Sequence, residues 1–195
     1  MNDERKIALF DMDGVLVNYH ESLLKEMKNL MSPKEKVAYI SDGTRPMYME
    51  RRKQLIISRP EWWLNLPPIP IGLHLLHVCE KIGFEIGILT KGPTHTTTAW
   101  SAKVDWIKQR LGYLPMMIVT TDKSVVYGRV LVDDYPDYVL GWLKHRPRGL
   151  ALMPKNKITS KIKHKNILTY EVIDGLYPFD EQLEIITALK KAYER

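Results

Sequence analysis

The sequence predicts an α/β fold in which helices flank a mostly parallel β-sheet. Short apolar runs of strand length alternate along the chain with stretches whose apolar residues recur at helical spacing. Several of these runs end directly in charged or hydroxyl side chains, the first of them at Asp11 and Asp13 in "IALFDMDGVL". Such alternation is typical of parallel sheets, in which ligands bind beyond the carboxyl ends of the strands.

Five short apolar runs predict the strands of this sheet. They are Lys6–Phe10, Phe84–Thr90, Met116–Thr120, Arg129–Asp134 and Gly149–Met153. Because the strands are expected to be parallel, their carboxyl ends should meet at one edge of the sheet. Polar residues at that edge are therefore the candidates for function.

Helical periodicity predicts the elements between and after the strands. The predicted helices are Tyr19–Met31, Pro46–Ser58, Pro70–Ile82, Trp100–Leu111, Tyr138–Lys144 and Phe179–Tyr193. Pro33 ends the first of them, and Gly83 and Gly112 end the third and fourth. The stretch "RPEWWLNLPPIP" contains four prolines, and we expect it to be irregular.

The size and charge of the chain narrow its class. A length of 195 residues is enough for one sizeable core with a small second lobe, and residues 18–70 form an insertion long enough to be a lid. The formal net charge of +6 suits an anionic substrate or a nucleic acid. Positive charge is densest in residues 144–165, which we interpret as a solvated basic loop flanking a short strand, because the stretch has no aromatic residue for base stacking.

Cellular location is predicted from what the sequence lacks. No stretch approaches the roughly 18 apolar residues of a membrane span, and the first apolar run is too short for a signal peptide. The single cysteine, Cys79, cannot form an internal disulfide, and its helical setting predicts a buried core residue. We therefore expect a cytoplasmic protein with no membrane partner.

Polar side chains follow four of the predicted strands, in order along the chain. They are Asp11 and Asp13, then Thr90 and Lys91, then Asp122 and Lys123, then Asp133 and Asp134. Each pair alone is a weak signal, since two aspartates after a strand can equally begin a turn. The complete set, at strand ends that a parallel sheet brings together, is a strong one.

The side chains in this set have complementary chemistry. Asp11, Asp13 and Asp134 supply hard oxygen ligands that suit Mg²⁺. Lys123 and Thr90 supply a cation and a hydroxyl suited to phosphate oxygens. Asp11 can attack phosphorus to form an aspartyl-phosphate, and Asp13 can protonate the leaving oxygen and then deprotonate the hydrolytic water. The pattern predicts a phosphatase.

These residues resemble the four motifs of the haloacid dehalogenase superfamily. The segments "DMDGVLVNY", "LNLPPIPIGLHLL", "DWIKQRLG" and "TTDKSVVYGRVLVDDYPD" are similar to a narrower family, the 5'(3')-deoxyribonucleotidases. The similarity covers most of residues 6–137. It implies a Rossmann-like core, residues 1–17 and 71–195, with a small helical cap, residues 18–70, inserted after the first strand.

The resemblance also implies roles for single residues. Asp11 falls on the nucleophile and metal ligand, Asp13 on the acid/base whose backbone carbonyl also binds Mg²⁺, and Asp134 on a metal ligand. Thr90, Lys123 and Lys103 fall on phosphate-binding positions, Asp133 on a supporting carboxylate, and Tyr19 and Trp63 on aromatic residues of the base pocket. Gly14 keeps the turn after Asp13 open, since a side chain there would crowd the phosphate. The reaction implied is Mg²⁺-dependent dephosphorylation of deoxynucleoside monophosphates.

Some positions depart from the family, and alternatives stay open. Asn18 and Lys91 stand where the family commonly has Asp and Ser, and Lys91 adds charge that would favour a more anionic substrate. Trp62 and Trp63 either stack on a base or close the cap against the core. Another small phosphomonoester is the alternative substrate, and a basic nucleic-acid-binding protein with a silent phosphatase core is the alternative class. We expect a small-molecule substrate and no stable nucleic acid partner, and related enzymes suggest a homodimer.

Overall fold

A six-stranded, open, parallel sheet forms the centre of the fold. The computed structural model describes residues 5–35, 46–93, 96–171 and 179–195. The strands are β1 (Ile7–Phe10), β2 (Glu85–Thr90), β3 (Met116–Val119), β4 (Val130–Val132), β5 (Leu150–Pro154) and β6 (Ile167–Tyr170), in the sheet order β3-β2-β1-β4-β5-β6. The predicted α/β class is confirmed, with β1 at the centre of the sheet.

The strand sequences explain why the sheet is buried on both faces. All four residues of β1 and all three of β4 are buried, which matches their continuous apolar sequence. β1 pairs with β2 on one side and with β4 on the other, and Phe10 lies opposite Val132. This register brings the residues that follow β1 and β4 to the same edge of the sheet.

The described chain divides into two compact units. The first comprises Met1–Val17, Pro68–Lys91 and Pro115–Arg195, and the second comprises Asn18–Pro67 and Gly92–Leu114. The sequence predicts a cap of residues 18–70, and the second unit also contains the segment Gly92–Leu114. The function of the second unit as a cap stays a prediction.

In the first unit, helices pack on the sheet. They are α4 (Pro70–Ile82), α6 (Pro136–His145) and α7 (Phe179–Glu194). A proline occupies the first turn of both α4 and α6, where its missing N–H costs no hydrogen bond. Cys79 lies fully buried on α4, as predicted for a core residue.

The second unit consists of helices in its described part. They are α1 (Tyr19–Asn29), α2 (Met47–Ile57), α3 (Pro60–Leu64) and α5 (Thr98–Leu111). Two buried tryptophans fix its loops, since Trp63 Nε1 donates to the Ile57 carbonyl and Trp106 Nε1 to the Leu66 carbonyl, each at 2.8 Å.

Two sequence predictions of local structure were wrong. The proline-rich stretch contains α3, because Pro60 takes the first helical position and burial of Trp63 stabilises the turn that follows. The basic stretch is followed by a sixth strand, β6, whose sequence ILTY mixes apolar with polar residues and so gives a weaker strand signal than IALF of equal length. Among the described residues, no helix is both long enough and apolar enough to cross a membrane.

Candidate active site

An acidic cluster lies at the carboxyl edge of the sheet, where β1 and β4 end. The Asp11 N–H donates to the Val132 carbonyl at 2.8 Å, which extends the pairing of β1 with β4 by one step. Asp11, Asp133 and Asp134 each place a carboxylate oxygen within 4.8 Å of the others. Residues more than a hundred positions apart in the sequence thus meet because their strands are neighbours.

Lys123 is the cation of this cluster. Its Nζ lies 2.8 Å from Asp11 Oδ1 and 2.6 Å from Asp133 Oδ2, and the lysine is almost fully buried. A short 3₁₀ turn, Lys123–Val125, holds it in place, and the Asp122 side chain caps this turn by accepting the Ser124 N–H at 2.9 Å. The Asp122 side chain therefore shapes the turn, while Lys123 reaches the cluster.

Burial and the neighbouring charges shift the pKa values of Asp11 and Lys123 in this cluster. Burial, together with the negative charges of Asp133, Asp13 and Asp134, raises the pKa of Asp11 to about 8, against the opposing effect of Lys123. Burial alone would lower the pKa of Lys123, but the attraction of Asp11 and Asp133 outweighs it and raises that pKa. The surplus of carboxylates over cations favours a bound metal ion.

Gly14 lies against Asp134. Its φ is +88°, a conformation that L side chains rarely adopt, and a Cβ atom at this position would lie 2.2 Å from Asp134 Oδ2. The sequence assigned Gly14 to keeping space for a phosphate. The geometry gives a second reason, which is that the glycine leaves room for the Asp134 carboxylate.

The donor set fits a hard divalent cation. Asp133 differs from its neighbours because Oδ2 accepts from Lys123, while Oδ1 accepts the Tyr135 N–H at 2.9 Å. With both oxygens engaged by donors, Asp133 is suited to orient Lys123. Asp11 and Asp134 are the side chains of the cluster better suited to hold Mg²⁺.

Three other predicted residues of the first unit lie at the carboxyl edge of the same sheet. Thr90 is fully buried at the end of β2, the strand beside β1, and Lys91 directly after it is exposed. Asp13 lies in the turn after β1, two residues beyond Asp11, and makes a bridge with Val17. Thr90 is thus buried within the sheet, whereas the side chain of Lys91 is accessible to solvent.

The remaining predicted residues belong to the second unit. Trp63 is 2% exposed and stacks on Tyr19, with ring centroids 5.4 Å apart and planes inclined by 25°. The Nζ of buried Lys103 lies 4.9 Å from the centroid of the Trp63 ring. Most of the Trp63 surface is thus taken by protein neighbours, and Tyr19, which is half-buried, is the more accessible ring.

Sequence reasoning missed one neighbour of the cluster. The centroid of the Tyr138 ring lies 4.8 Å from Lys123 Nζ, close enough for a cation–π contact. Tyr138 is in the first turn of α6, which begins just after Asp134. A helix that starts at a strand end presents its first turn to that edge of the sheet. The place of Tyr138, shortly after Asp134 in the sequence, could therefore have predicted that it lies near the cluster.

Comparisons with known proteins agree with this geometry. The sequence model of a family described as "5' nucleotidase, deoxy (Pyrimidine), cytosolic type C protein" matches residues 5–168. A human protein named 5'(3')-deoxyribonucleotidase, cytosolic type, is 28% identical over 140 residues, which cover 65% of this chain and 69% of that protein. A Bordetella bronchiseptica protein, named as a candidate 5'(3')-deoxyribonucleotidase, is 25% identical over 138 residues, which cover 67% of this chain and 74% of that protein.

Solved structures agree on the fold. A crystal structure from Burkholderia xenovorans LB400, described as a candidate haloacid dehalogenase-like hydrolase, superimposes with a TM-score of 0.53 at 15% sequence identity. The match covers 85% of this chain and 92% of that one. At this level of identity, the likeness supports the α/β architecture of the chain.

Proposed function

We propose that this chain hydrolyses deoxynucleoside monophosphates. The premise is that it belongs to the family of cytosolic-type 5'(3')-deoxyribonucleotidases, within the haloacid dehalogenase superfamily. The observation that carries the proposal is the buried cluster in which Asp11 Oδ1 contacts Lys123 Nζ at 2.8 Å beside Asp133 and Asp134. The family is one of phosphomonoester hydrolases. The substrate named in the human relative, a 5'(3')-deoxyribonucleotide, supports the finer assignment.

The reaction starts at Asp11. An oxygen of its carboxylate attacks phosphorus, and the bond from phosphorus to the nucleoside oxygen breaks. Asp13 gives its proton to that leaving oxygen and later takes a proton from the water that attacks the aspartyl-phosphate. Phosphate is released and the Asp11 carboxylate is restored.

Lys123 and Thr90 hold the transferring group. The Lys123 ammonium, fixed by Asp133 at 2.6 Å, is positioned beside Asp11 to bind a phosphate oxygen. The Thr90 hydroxyl, at the end of the neighbouring strand, is proposed to bind a second one. The end of β2 holds Thr90 and the 3₁₀ turn holds Lys123 before substrate arrives, so little reorganisation accompanies the reaction.

A magnesium ion completes the site in this proposal. Asp11 and Asp134 would hold it, with the Asp13 carbonyl as a third ligand, and Asp133 would support Lys123. When bound, Mg²⁺ offsets the charge of the carboxylates and of the phosphate group. The raised pKa of Asp11 supports this role, because it reflects the burial of this carboxylate and its repulsion by Asp133, Asp13 and Asp134, which Lys123 does not offset.

The second unit is proposed to select the substrate. Tyr19 is the ring we propose to stack on the base, with Trp63 behind it, and Lys103 is proposed to bind phosphate. Closure of this unit as a cap over the site would exclude water. A homodimer and a cytoplasmic location are also proposed, the latter supported by the cytosolic name of the human relative.

One assay tests the function. Phosphate release is measured from deoxy- and ribonucleoside 5'- and 3'-monophosphates and from p-nitrophenyl phosphate, with Mg²⁺ and with EDTA. Asp11→Asn should abolish turnover, whereas the matched variant Asp105→Asn, which changes an exposed aspartate on α5, should retain it.

The outcomes separate the alternatives. Turnover of deoxynucleotides that requires both Mg²⁺ and Asp11 supports the proposal. If only p-nitrophenyl phosphate is hydrolysed, the assignment as a phosphatase would stand and the assignment of a nucleotide substrate would be wrong. Steeply salt-dependent DNA binding without turnover of any ester would favour the nucleic-acid-binding alternative.

A further inference from the structure

The short 3₁₀ turn that carries Lys123 is held by side chains of α6. The turn's own hydrogen bond, from the Val126 N–H to the Lys123 carbonyl, is long at 3.3 Å. Turns of this kind have poor hydrogen-bond geometry, so contacts from neighbouring elements add much of their order. The position of Lys123 therefore depends on what packs against its turn.

One side of α6 supplies two contacts to the backbone of this turn. Trp142 Nε1 donates to the Val126 carbonyl at 3.0 Å, and Arg146 Nη1 donates to the Ser124 carbonyl at 2.6 Å. Trp142 is part of the hydrophobic core, and the Arg146 guanidinium lies over its ring, 5.5 Å from the centroid. The main chain that follows Lys123 is thus bound at two carbonyls.

A third contact reaches the ammonium of Lys123 itself. Its Nζ lies over the Tyr138 ring, 4.8 Å from the centroid, and the Tyr135 ring packs on Tyr138 with centroids 4.9 Å apart. A ring face attracts an ammonium without cancelling its charge, as another carboxylate would. Asp11 and Asp133 take two of the three N–H donors, which leaves the third for a phosphate oxygen.

The three α6 side chains form one stripe. Tyr138, Trp142 and Arg146 follow one another at intervals of four residues, and Arg146 lies directly after the end of the helix. Residues at this spacing lie on the same side of a helix. We call this set the α6 stripe, and it contacts the turn at the lysine side chain and at two carbonyls beyond it.

We propose that the α6 stripe positions Lys123 to bind the phosphate group, with Tyr138 orienting the ammonium and Arg146 holding the turn. Both act through Lys123 and are positioning residues. The inference rests on the proposed function, in which Asp11 becomes an aspartyl-phosphate and loses the negative charge that attracts Lys123. Asp133 and the Tyr138 ring do not change at that step, so they keep the ammonium in place.

The first test replaces the ring. Calorimetry measures the affinity for inorganic phosphate in Mg²⁺, and steady-state assays measure kcat/KM for p-nitrophenyl phosphate and for a deoxynucleoside monophosphate. We expect Tyr138→Leu to weaken phosphate binding about tenfold, and Tyr138→Phe, which keeps the ring face, to change it by less than about twofold. Both esters should lose kcat/KM by the same factor, because the phosphate group is what they share.

The second test removes the contact at the turn. Arg146→Met leaves the Ser124 carbonyl without this donor, and we expect it to weaken phosphate binding about threefold. Lys144→Met is the matched control, since it removes an equal charge from an exposed residue of the same helix, and it should leave phosphate affinity unchanged. Thermal unfolding of each variant verifies that it folds.

Several results would overturn the inference. Equal weakening by Tyr138→Phe and Tyr138→Leu would show that the ring face does not orient the ammonium. A loss confined to the nucleotide would make Tyr138 a contact of the nucleoside. A lower melting temperature with unchanged phosphate affinity in Arg146→Met would assign that residue to stability alone.

The same measurements separate this inference from the proposed function. Unchanged phosphate affinity in Tyr138→Leu and Arg146→Met, with normal nucleotide turnover, would overturn the positioning and leave the function standing. Selective weakening in a chain that hydrolyses p-nitrophenyl phosphate and no nucleotide would support the positioning and overturn the nucleotide substrate. Wild-type protein that binds no phosphate in Mg²⁺ would overturn both.

Discussion

Substitution of Gly14 by alanine tests whether the position of Asp134 matters. Gly14 has a φ of +88°, and the added Cβ would lie 2.2 Å from Asp134 Oδ2 and 2.7 Å from its Cγ. Gly14→Ala therefore has two costs. The left-handed backbone costs about 1–2 kcal/mol of stability for an L residue, and the Asp134 carboxylate must move away.

The size of that movement sets the expected effect on activity. Ordinary carbon–oxygen contacts begin near 3.4 Å, so the carboxylate must retreat by roughly 1 Å. A misplacement of about 1 Å near the chemistry can reduce the rate by about a hundredfold. We expect Gly14→Ala to lower kcat/KM by about two orders of magnitude and to weaken Mg²⁺ binding.

Gly112 offers a matched control. Its φ is +77°, at the end of α5, and a Cβ there would meet no atom within 4 Å. Gly112→Ala therefore carries the backbone cost without a collision. We expect it to lose only the backbone cost of about 1–2 kcal/mol and to retain both kcat/KM and Mg²⁺ affinity.

Three measurements on both variants decide the matter: urea unfolding, steady-state hydrolysis of a deoxynucleotide, and calorimetric Mg²⁺ titration. A larger loss of stability in Gly14→Ala than in Gly112→Ala, together with a selective loss of Mg²⁺ affinity, would support the reasoning. If Gly14→Ala binds Mg²⁺ and turns over like Gly112→Ala, then the contact with Asp134 has no part in metal binding.

Further predictions concern the buried ionisable groups. Lys123→Met should abolish hydrolysis and lower the free energy of unfolding at pH 8 by about 3 kcal/mol, measured in urea, because it leaves two buried carboxylates unpaired; an unchanged unfolding midpoint would contradict this. In EDTA, the pKa of Asp11 at about 8 lies above the roughly 3.9 of an unfolded aspartate, so its contribution to stability should fall as pH rises from about 4 to 8. Unfolding curves across that range in EDTA and in Mg²⁺ test this, and we expect Mg²⁺ to reduce the fall. Burial raises the pKa of the Cys79 thiol to about 12, so it should react with a disulfide reagent only after denaturation, and rapid native labelling would refute its burial.

The sequence predicted correctly those features of the fold and of the site that depend on a short local pattern. Five apolar runs identified five strands, and the aspartates at their ends identified the acidic edge, because parallel strands bring their carboxyl ends together. The sequence could not show that Asp133 and Asp11 share Lys123. That contact depends on β4 lying beside β1, which is a property of strand order rather than of either segment.

The misses have the same origin. β6, with the sequence ILTY, mixes apolar with polar residues and pairs only with β5, so its identification depends on a partner rather than on its own pattern. Tyr138 contacts Lys123 through the direction in which α6 leaves the sheet, which periodicity does not encode.

The pairing of β1 with β4 also dictates when the site can come into existence. Asp11 is made at the start of synthesis, but its partners Lys123, Asp133 and Asp134 are made more than a hundred residues later. A nascent chain that ends before β4 contains Asp11 and Lys123 but lacks Asp133 and Asp134, so the acidic cluster cannot form. Closing so long a loop is slow, so the site should assemble late in folding. Magnesium would then slow the unfolding of finished molecules and leave the folding rate unchanged.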